Sequence, residues 1–226
     1  MDIKPIAFIK TDFKEKFGIP RQSGIIQELK GQIIFEKEFR NPDALRGIEE
    51  YSHLWLIFDF SENHRENWAP TVRPPRLGGN ERKGVFATRS PFRPNNLGLS
   101  VVKLDGIKKD KNLGHILLVS GVDLLDNTPI FDIKPYIPYC DSKPYAKGSF
   151  GEENKEYKIN VSYSEEIFKD FPKDKILPFI KCLEQDPRPS YQTDERIYKM
   201  NFSGFEISFK IKENNVIILS VEKEKG

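Results

Sequence analysis

The sequence predicts a mainly β protein whose short strands close, or nearly close, into a barrel. Short runs of β-branched and aromatic residues recur before residue 140 and are separated by turn-forming stretches. Only one brief helix is indicated in that part, whereas a parallel α/β sheet would alternate strands with long helical patterns. A helix and a hairpin pattern further along the chain predict a small additional α+β unit.

The first strands follow from the apolar pattern of the N-terminal third. Residues 6–9 begin the β pattern, and residues 25–39 continue it with consecutive apolar residues at the centre. A brief helix is predicted over residues 41–50, because capping residues and a proline stand at its start. Residues 53–60 form the most apolar run, which predicts a strand buried on both faces. Asp59 is the anomalous residue inside that strand.

Further strands complete the predicted barrel. Residues 84–89 predict a short strand that ends at Arg89, and three later segments cover residues 100–107, 115–122 and 130–137. Because strand-end loops gather at the rims of a barrel, polar residues that follow strands are candidate site residues.

The chain is long enough for one large domain with a smaller appendage. We assign residues 1–145 to the barrel and residues 146–164, which are rich in Lys, Glu, Gly and Ser, to a linker. Residues 165–226 then form a helix-and-hairpin unit. Such a unit buries little apolar area alone, so we expect it to pack on the barrel or on a second subunit.

The composition indicates a soluble, cytoplasmic protein. The formal net charge is +2, with 38% hydrophobic and 31% charged residues. No apolar run approaches the ~20 residues of a membrane helix, and the first residues do not form a signal-peptide pattern. Cys140 and Cys182 stand without a CxxC motif or a nearby histidine cluster, which favours free thiols in a reducing compartment.

Two neighbouring segments, residues 73–80 and 84–99, have the most unusual composition of the chain. Together they contain four arginines, four prolines and four glycines. A solvated surface loop is one interpretation. We favour another, in which prolines stiffen the loop and lower the entropy that is lost when arginines bind an anion or a nucleic acid.

The common motifs of nucleotide binding and covalent catalysis are missing from the sequence. No GxGxxG, GxxxxGK[ST] or GxSxG motif occurs, and the three histidines are not spaced as metal ligands. We therefore predict no metal site. The remaining candidates are polar residues at predicted strand ends, namely Arg21, Gln22, Ser61, Glu62, Arg89 and the segment 120–126. For Asp123 and Asp126, a structural ion pair and a functional role stay equally open.

Five motifs carry a resemblance to a known family. In chain order they are IAFIKTDFKEKFGIPRQSGI, TVRPPRLGGN, GVFATRSPFRPNNLGLS, VDLLDNTPIFDIKPYIP and LEQDPRPSY. With them the chain resembles the TsaA-like (TrmO) family of tRNA N6-threonylcarbamoyladenosine methyltransferases. The resemblance runs through almost all of residues 5–140 and continues into the C-terminal unit.

The resemblance implies a fold, a cofactor and a reaction. It implies a single-sheet β-barrel that binds S-adenosylmethionine (SAM) and works as a homodimer. The implied reaction transfers a methyl group to N6 of threonylcarbamoyladenosine at position 37, in the anticodon loop of tRNA. Methyl transfer from a sulfonium is an in-line displacement, which alignment and desolvation accelerate without a protein nucleophile.

The family motifs also imply roles for individual residues. The implied cofactor site consists of Pro20, Arg21, Gln22, Ser61, Glu62, Arg89, Leu99, Ser120, Gly121, Val122 and Asp123. We predict Arg89 and Asp126 as catalytic residues. Asp126 and Glu62 are the carboxylates available to take the N6 proton, and loss of that proton to water after transfer is the alternative. Anticodon-loop phosphates are expected at Arg73, Arg76 and Arg93.

The sequence departs from the family pattern at two pairs of residues. Family members often have a His-Gln type pair where this chain has Ser61 and Glu62, and a Pro-Ile pair where it has Asn96 and Leu97. The first departure is the best support for a rival function, a non-catalytic RNA-binding barrel. A metal-dependent hydrolase is a third alternative, but the chain offers almost no ligand set for it.

Overall fold

The computed structural model describes residues 2–74, 81–148, 157–188 and 196–224. The predicted mainly β class is confirmed, because twelve strands and two α-helices form the regular structure of the described residues, and one of those helices has only four residues. In the same part of the chain, no helix has the length and apolar character needed to cross a membrane.

Six antiparallel strands close into a barrel in which each strand pairs with two neighbours. The order around the barrel is β1-β2-β7-β6-β3-β8. The strands are β1 (Ala7–Lys10), β2 (Lys30–Phe35), β3 (His53–Asp59), β6 (Leu97–Asp110), β7 (Gly114–Ser120) and β8 (Thr128–Pro135). A separate two-stranded ribbon, β4 (Thr71–Val72) with β5 (Lys83–Gly84), lies between β3 and β6 in the chain.

The barrel interior is filled by alternate residues of each strand. On β3 the residues Leu54, Leu56 and Phe58 are buried, whereas the residues between them are half-buried on the outer face. The prediction that this strand is buried on both faces was therefore wrong. Asp59 lies on the outer face, where its carboxylate is 2.7 Å from Nε2 of His64, so its place in an apolar run needs no buried charge.

Two short elements differ from the predicted ones. Residues 84–89 do not continue as a strand. Val85–Ala87 forms a 3-10 turn, because the Val85 N–H donates to the carbonyl of Pro70 and the Thr88 N–H donates back to the carbonyl of Val85. The helix predicted over residues 41–50 is instead two 3-10 turns, Pro42–Leu45 and Ile48–Glu50, with Gly47 at φ 83° between them.

The C-terminal unit contains a four-stranded sheet rather than a helix and a hairpin alone. Helix α1 (Pro138–Asp141) ends the barrel part. In the C-terminal unit, helix α2 (Lys173–Glu184) packs against a sheet whose strand order is β10-β11-β12-β9. The strands are β9 (Asn160–Ser162), β10 (Ile197–Phe202), β11 (Phe205–Lys212) and β12 (Asn215–Lys223).

Two strands of this sheet were not predicted. The sequence pattern predicts one hairpin strand over residues 201–210. In the structure, a turn at Ser203, with φ 53°, divides this segment between β10 and β11. Strand β9 lies inside the predicted linker, residues 146–164, where it pairs in parallel with β12. A three-residue strand with polar ends carries almost no sequence pattern.

The C-terminal unit docks on the barrel through the loop that follows β1. Phe13 of this loop packs edge-on against Phe202, with ring centroids 5.3 Å apart, and both side chains are fully buried. Nζ of Lys175 is 2.6 Å from a carboxylate oxygen of Asp12. Glu15 accepts a hydrogen bond from the backbone of β10 at 2.7 Å. The loop between β1 and β2 is thus held on both sides, which positions the residues that follow it.

Candidate functional site

Most of the predicted site residues line one cleft at a rim of the barrel. The cleft, called the rim cleft below, has a volume of about 1120 Å³. Strands β1, β3 and β7 end at this rim and β2, β6 and β8 begin there, because neighbouring strands are antiparallel. The predicted cofactor residues that line it are Pro20, Arg21, Gln22, Ser61, Glu62, Arg89, Leu99, Ser120 and Asp123.

Arg89 connects two of the predicted segments. Its Nη1 donates to Oε1 of Gln22, which lies in the loop between β1 and β2. Arg89 also faces Asp123, whose ionised form it favours electrostatically. The guanidinium therefore stands between a neutral acceptor and a carboxylate, and much of the side chain stays exposed to the cleft.

Asp123 is the carboxyl group with the most perturbed environment in the rim cleft. Burial raises its pKa from 3.8 to about 6, against the opposing effect of hydrogen bonds from Ser100 and Ser23 and of the Arg89 charge. The Ser100 hydroxyl donates to Asp123 Oδ1 at 2.7 Å. A carboxyl group that titrates near neutral pH can hold or release a proton under ordinary conditions.

The segment before Asp123 supports the cleft without lining it. Gly121 and Val122 were predicted cofactor residues, but both are buried and neither reaches the rim cleft. The Gly24 N–H donates to the Gly121 carbonyl at 2.9 Å. Gly121 has φ 75°, and a Cβ added there would be 3.3 Å from Cα of Gly24. Glycine at this position allows the two loops to approach closely.

Ser120 lines the cleft, but its hydroxyl is engaged within the protein. It donates to Asp105 at 3.1 Å, and Nζ of Lys30 is 2.8 Å from the same carboxylate. Ser61 and Glu62 form an exposed 3-10 turn directly after β3. The Glu62 carbonyl accepts from Nζ of Lys16 at 2.6 Å, which holds this turn against the loop after β1.

Asp126, predicted as a catalytic residue, does not line the rim cleft. Its Oδ1 accepts a hydrogen bond from the Thr11 N–H at 3.0 Å, and its other oxygen lies 3.7 Å from Nζ of Lys10. The turn that ends at Asn127, with φ 62°, directs the Asp126 carboxylate toward the end of β1. In this position Asp126 holds the loop to the end of β1, whereas Asp123 and Glu62 line the rim cleft, and the catalytic role of Asp126 stays a prediction.

The predicted RNA-binding arginines differ in their positions. Arg93 lines the rim cleft, yet its Nη1 donates to the Thr88 carbonyl at 2.8 Å and the Val85 carbonyl at 3.3 Å, so it also braces the loop from within. Arg73 lies in a neighbouring cleft. Arg76 lies outside the described residues.

A contact from the C-terminal unit was missed from the sequence. Arg21 donates from Nη2 to the carbonyl of Asp186 at 3.4 Å. Asp186 is itself held by Arg188, with two N–O distances of 2.9 Å. Because 165 positions separate Arg21 from Asp186, no local pattern relates them. The available signal was the LEQDPRPSY motif, which the sequence places after a helix and far from the barrel loops.

The rim cleft offers several kinds of contact and no metal cluster. Leu97 and Leu99 are 40% and 55% exposed and give it an apolar wall on the outer face of β6. Arg89 supplies positive charge, and Asp123 supplies a titratable carboxyl group. In the part of the chain that the structure describes, no three His, Cys, Asp or Glu side chains are grouped as metal ligands.

Comparisons with known proteins give a consistent result over almost the whole chain. The model of the tRNA-methyltransferase O (TrmO) N-terminal domain matches residues 8–142, and the model of the TrmO C-terminal domain matches residues 156–224. The Escherichia coli K12 protein named tRNA (adenine(37)-N6)-methyltransferase is 38% identical over 226 residues, which cover 96% of each chain.

Two further relatives come from Pseudomonas aeruginosa. A protein named putative S-adenosylmethionine-dependent methyltransferase RcsF is 40% identical over 200 residues, or 85% of this chain and 84% of that one. The crystal structure of TrmO from this organism superimposes with a TM-score of 0.80 at 32% identity, and covers 99% of this chain and 97% of that chain.

Proposed function

Since the chain belongs to the tRNA-methyltransferase O family, we propose that it transfers a methyl group from SAM to N6 of the adenine at position 37 of tRNA. The observation that carries this proposal is the rim cleft, which collects Arg89, Gln22 and Asp123 beside an exposed apolar wall. Full-length similarity to proteins named as SAM-dependent and as tRNA adenine-N6 methyltransferases supports it.

The residues of the rim cleft fit SAM chemically. The adenine ring can cover the exposed side chains of Leu97 and Leu99, where burial of apolar area is favourable. The carboxylate of the methionyl part matches the Arg89 guanidinium, which can bind a carboxylate with two hydrogen bonds. On the same grounds we propose that Pro20, Arg21, Gln22, Ser61, Glu62 and Ser120 complete the cofactor site.

When bound, SAM supplies an electrophilic methyl group, and the protein residues orient the reactants and handle the proton. Alignment of the reactants can lower the free-energy barrier by about 7–11 kcal/mol. We propose that Asp123, with a pKa of about 6, accepts the N6 proton. At pH 7.5 this carboxyl is mostly ionised, so a base is available without prior activation.

Threonylcarbamoyl recognition is the finer part of the proposal. The threonyl group carries a carboxylate, and Arg21 and Arg89 both line the cleft. We propose that one of them binds this carboxylate, so that modified adenosine is preferred over unmodified adenosine. Comparing tRNA with and without threonylcarbamoylation as substrate tests this point. Equal kcat/KM for the two substrates would contradict it.

We also propose a homodimer, a cytoplasmic location and the domain division given by the sequence, with β9 moved from the linker into the C-terminal domain. The dimer is supported by the family resemblance. The location is supported by the tRNA substrate and by Cys140 and Cys182, which are both free thiols.

Calorimetric titration with SAM separates the proposed enzyme from a non-catalytic RNA-binding barrel. The proposal predicts one micromolar SAM site per chain, and a loss of that site in Arg89→Ala. A matched control is Arg46→Ala, which removes an exposed arginine whose ion pair is to Asp43 and which lies outside the cleft. A wild-type protein with no measurable SAM binding would contradict the proposal.

A further inference from the structure

A second cleft adjoins the rim cleft and has a volume of about 510 Å³. It lies between the chain that leaves β3, the ribbon β4–β5 and the loop before β6. Asn63 and Arg93 line both clefts, so the two spaces are neighbours. Nothing in the methyl-transfer chemistry derived above uses the other residues of this second cleft.

One exposed aromatic ring lines the second cleft, and a second exposed ring lies beside it. Trp68 lines the cleft and is 51% exposed, and Phe86 is 72% exposed. Their ring centroids are 6.0 Å apart, with 31° between the ring planes. Rings this exposed gain little from burial in the folded chain, whereas aromatic faces presented to solvent are surfaces on which nucleobases stack.

The second cleft is also positively charged. Its described lining includes four arginines and one acidic residue, which are Arg65, Arg73, Arg82, Arg93 and Glu66. Within the described part of the chain, none of these four arginines forms an ion pair, and Glu66 is the one acidic residue of the described lining.

The contacts of two of these arginines hold them in place. The Arg65 guanidinium lies 3.7 Å from the centre of the Phe92 ring. Arg82 donates from Nη1 to the Thr71 hydroxyl at 3.2 Å. Guanidinium groups fixed over an aromatic ring or a hydroxyl keep free N–H donors, so they can bind a phosphate with little further loss of entropy.

From this arrangement we propose that the second cleft binds the nucleotide next to the target adenosine. Its base stacks on Trp68 and Phe86, and its flanking phosphates contact Arg65 and Arg73. Single-stranded RNA is typically bound by this combination of aromatic faces and basic side chains. The proposal rests on the proposed tRNA substrate, and it adds a base contact outside the methyl-transfer site.

Fluorescence of Trp68 tests the stacking contact directly. The chain contains two tryptophans, Trp55 and Trp68, so Trp55→Phe leaves Trp68 as the only reporter. Titration of this variant with an anticodon stem–loop RNA should quench the emission. The quenching should be lost when the nucleotide on one side of the target adenosine is replaced by an abasic nucleotide, because the stacked base is then missing.

Affinity measurements test the energetic role of the two rings. Stacking is worth about 1–3 kcal/mol per base, so replacing both Trp68 and Phe86 by Ala should weaken RNA binding by roughly 5- to 150-fold. SAM affinity should not change. Phe86→Tyr, which keeps the ring, should bind RNA like the wild type. Tyr51→Ala, a change at an aromatic residue that is 40% exposed outside both clefts, is the matched control.

The phosphate contacts are tested by the salt dependence of RNA affinity. Replacing Arg65 and Arg73 by Gln should reduce the slope of log affinity against log salt by roughly one unit, since each phosphate contact with a single strand contributes about 0.7. Arg46→Gln should leave the slope unchanged.

Several results would overturn this inference. One is Trp68 emission that does not change when RNA binds. Another is an unchanged RNA affinity of the variant in which Trp68 and Phe86 are both replaced by Ala. A shift of the monomer–dimer equilibrium without loss of RNA affinity would make the rings a subunit contact instead. Conversely, quenching by RNA in a protein that methylates no tRNA would support the second cleft and contradict the proposed activity, so the two failures are distinguishable.

Discussion

Arg89 stands between Gln22 and Asp123 in the rim cleft, where it donates a hydrogen bond to Gln22 and its charge favours the ionised form of Asp123. We predict that Arg89→Ala reduces kcat/KM by at least about tenfold, which corresponds to about 1.4 kcal/mol of transition-state stabilisation. The physical reason is the loss of a guanidinium that can bind a carboxylate. Steady-state kinetics against tRNA measure it.

The control for this prediction is the thermal stability of the Arg89→Ala variant. Arg89 is exposed and packs in no core, so thermal unfolding of the variant should resemble that of the wild type. Arg46→Ala should keep full activity. Near-wild-type turnover of Arg89→Ala would remove Arg89 from the site.

Asp123 should make stability depend on pH. Its folded pKa of about 6 lies above the ordinary value of 3.8, so the folded state binds more protons than the unfolded state between these values. The ionised Asp123 carboxylate therefore lowers the free energy of unfolding above pH 6, and this effect disappears as the pH falls to about 4. Asp123→Asn should raise the free energy of unfolding at pH 7.5 by on the order of 2 kcal/mol.

Urea unfolding at several pH values measures this effect. The difference between Asp123→Asn and the wild type should shrink steadily from pH 7 to pH 4. At the same time, activity of the variant should fall, and the dependence of kcat on pH near 6 should be lost. A variant that is less stable than the wild type at pH 7.5 would contradict the account of the buried charge.

Asp123 and Asp126 also illustrate what a sequence pattern can determine. Both follow β7 in the same short segment, and both have basic or polar partners within reach. Their different surroundings depend on Ser100 and Thr11, which belong to distant parts of the chain. The motif could place a carboxylate at the rim, but only the packing of three loops decides which of the two faces the cleft.

At the scale of elements, the loop between β1 and β2 connects the C-terminal unit to the site. Phe202 of β10 packs on Phe13 of this loop and on Phe179 of α2, with centroid distances of 5.3 and 5.5 Å. We predict that Phe202→Ala lowers the free energy of unfolding by about 3–5 kcal/mol, because a fully buried ring leaves a cavity.

The tryptophans make this prediction informative. Both Trp55 and Trp68 belong to the barrel part, so their fluorescence reports barrel unfolding. If the two units share one core, Phe202→Ala should move the tryptophan transition to lower urea as a single step. Leu219→Ala, at a residue of β12 that is 41% exposed, should move it little. An unshifted tryptophan transition in Phe202→Ala would mean that the units unfold independently.

The elements show where sequence patterns fail. Strands with alternating apolar and polar residues, or with consecutive apolar residues, were predicted near their observed positions. Strands β3 and β6 are examples. Val85–Ala87 was misread, because three residues with apolar ends fit a strand as well as a turn, and the bond to the Pro70 carbonyl that decides between them is non-local. Strand β9 exists only because β12 lies beside it.

For the whole molecule, the sequence motifs predicted the family and the mainly β fold, and most of the predicted cofactor residues line the rim cleft. What they could not predict was the connection between the two units. Arg21 meets the carbonyl of Asp186, and Lys181 pairs with Glu28, through contacts that join distant parts of the chain. Such contacts follow from docking of the C-terminal unit, which individual motifs do not encode.

The central claim is that the rim cleft transfers a methyl group from SAM to N6 of adenine 37. Mass spectrometry of nucleosides, after incubation of tRNA with the protein and SAM that carries a trideuterated methyl group, tests it most directly. The account predicts one labelled methyl group on N6 of the position-37 nucleoside, at least tenfold less label with Arg89→Ala, and full label with Arg46→Ala. Absence of label from that nucleoside with the wild-type protein, or equal label with Arg89→Ala, would contradict it.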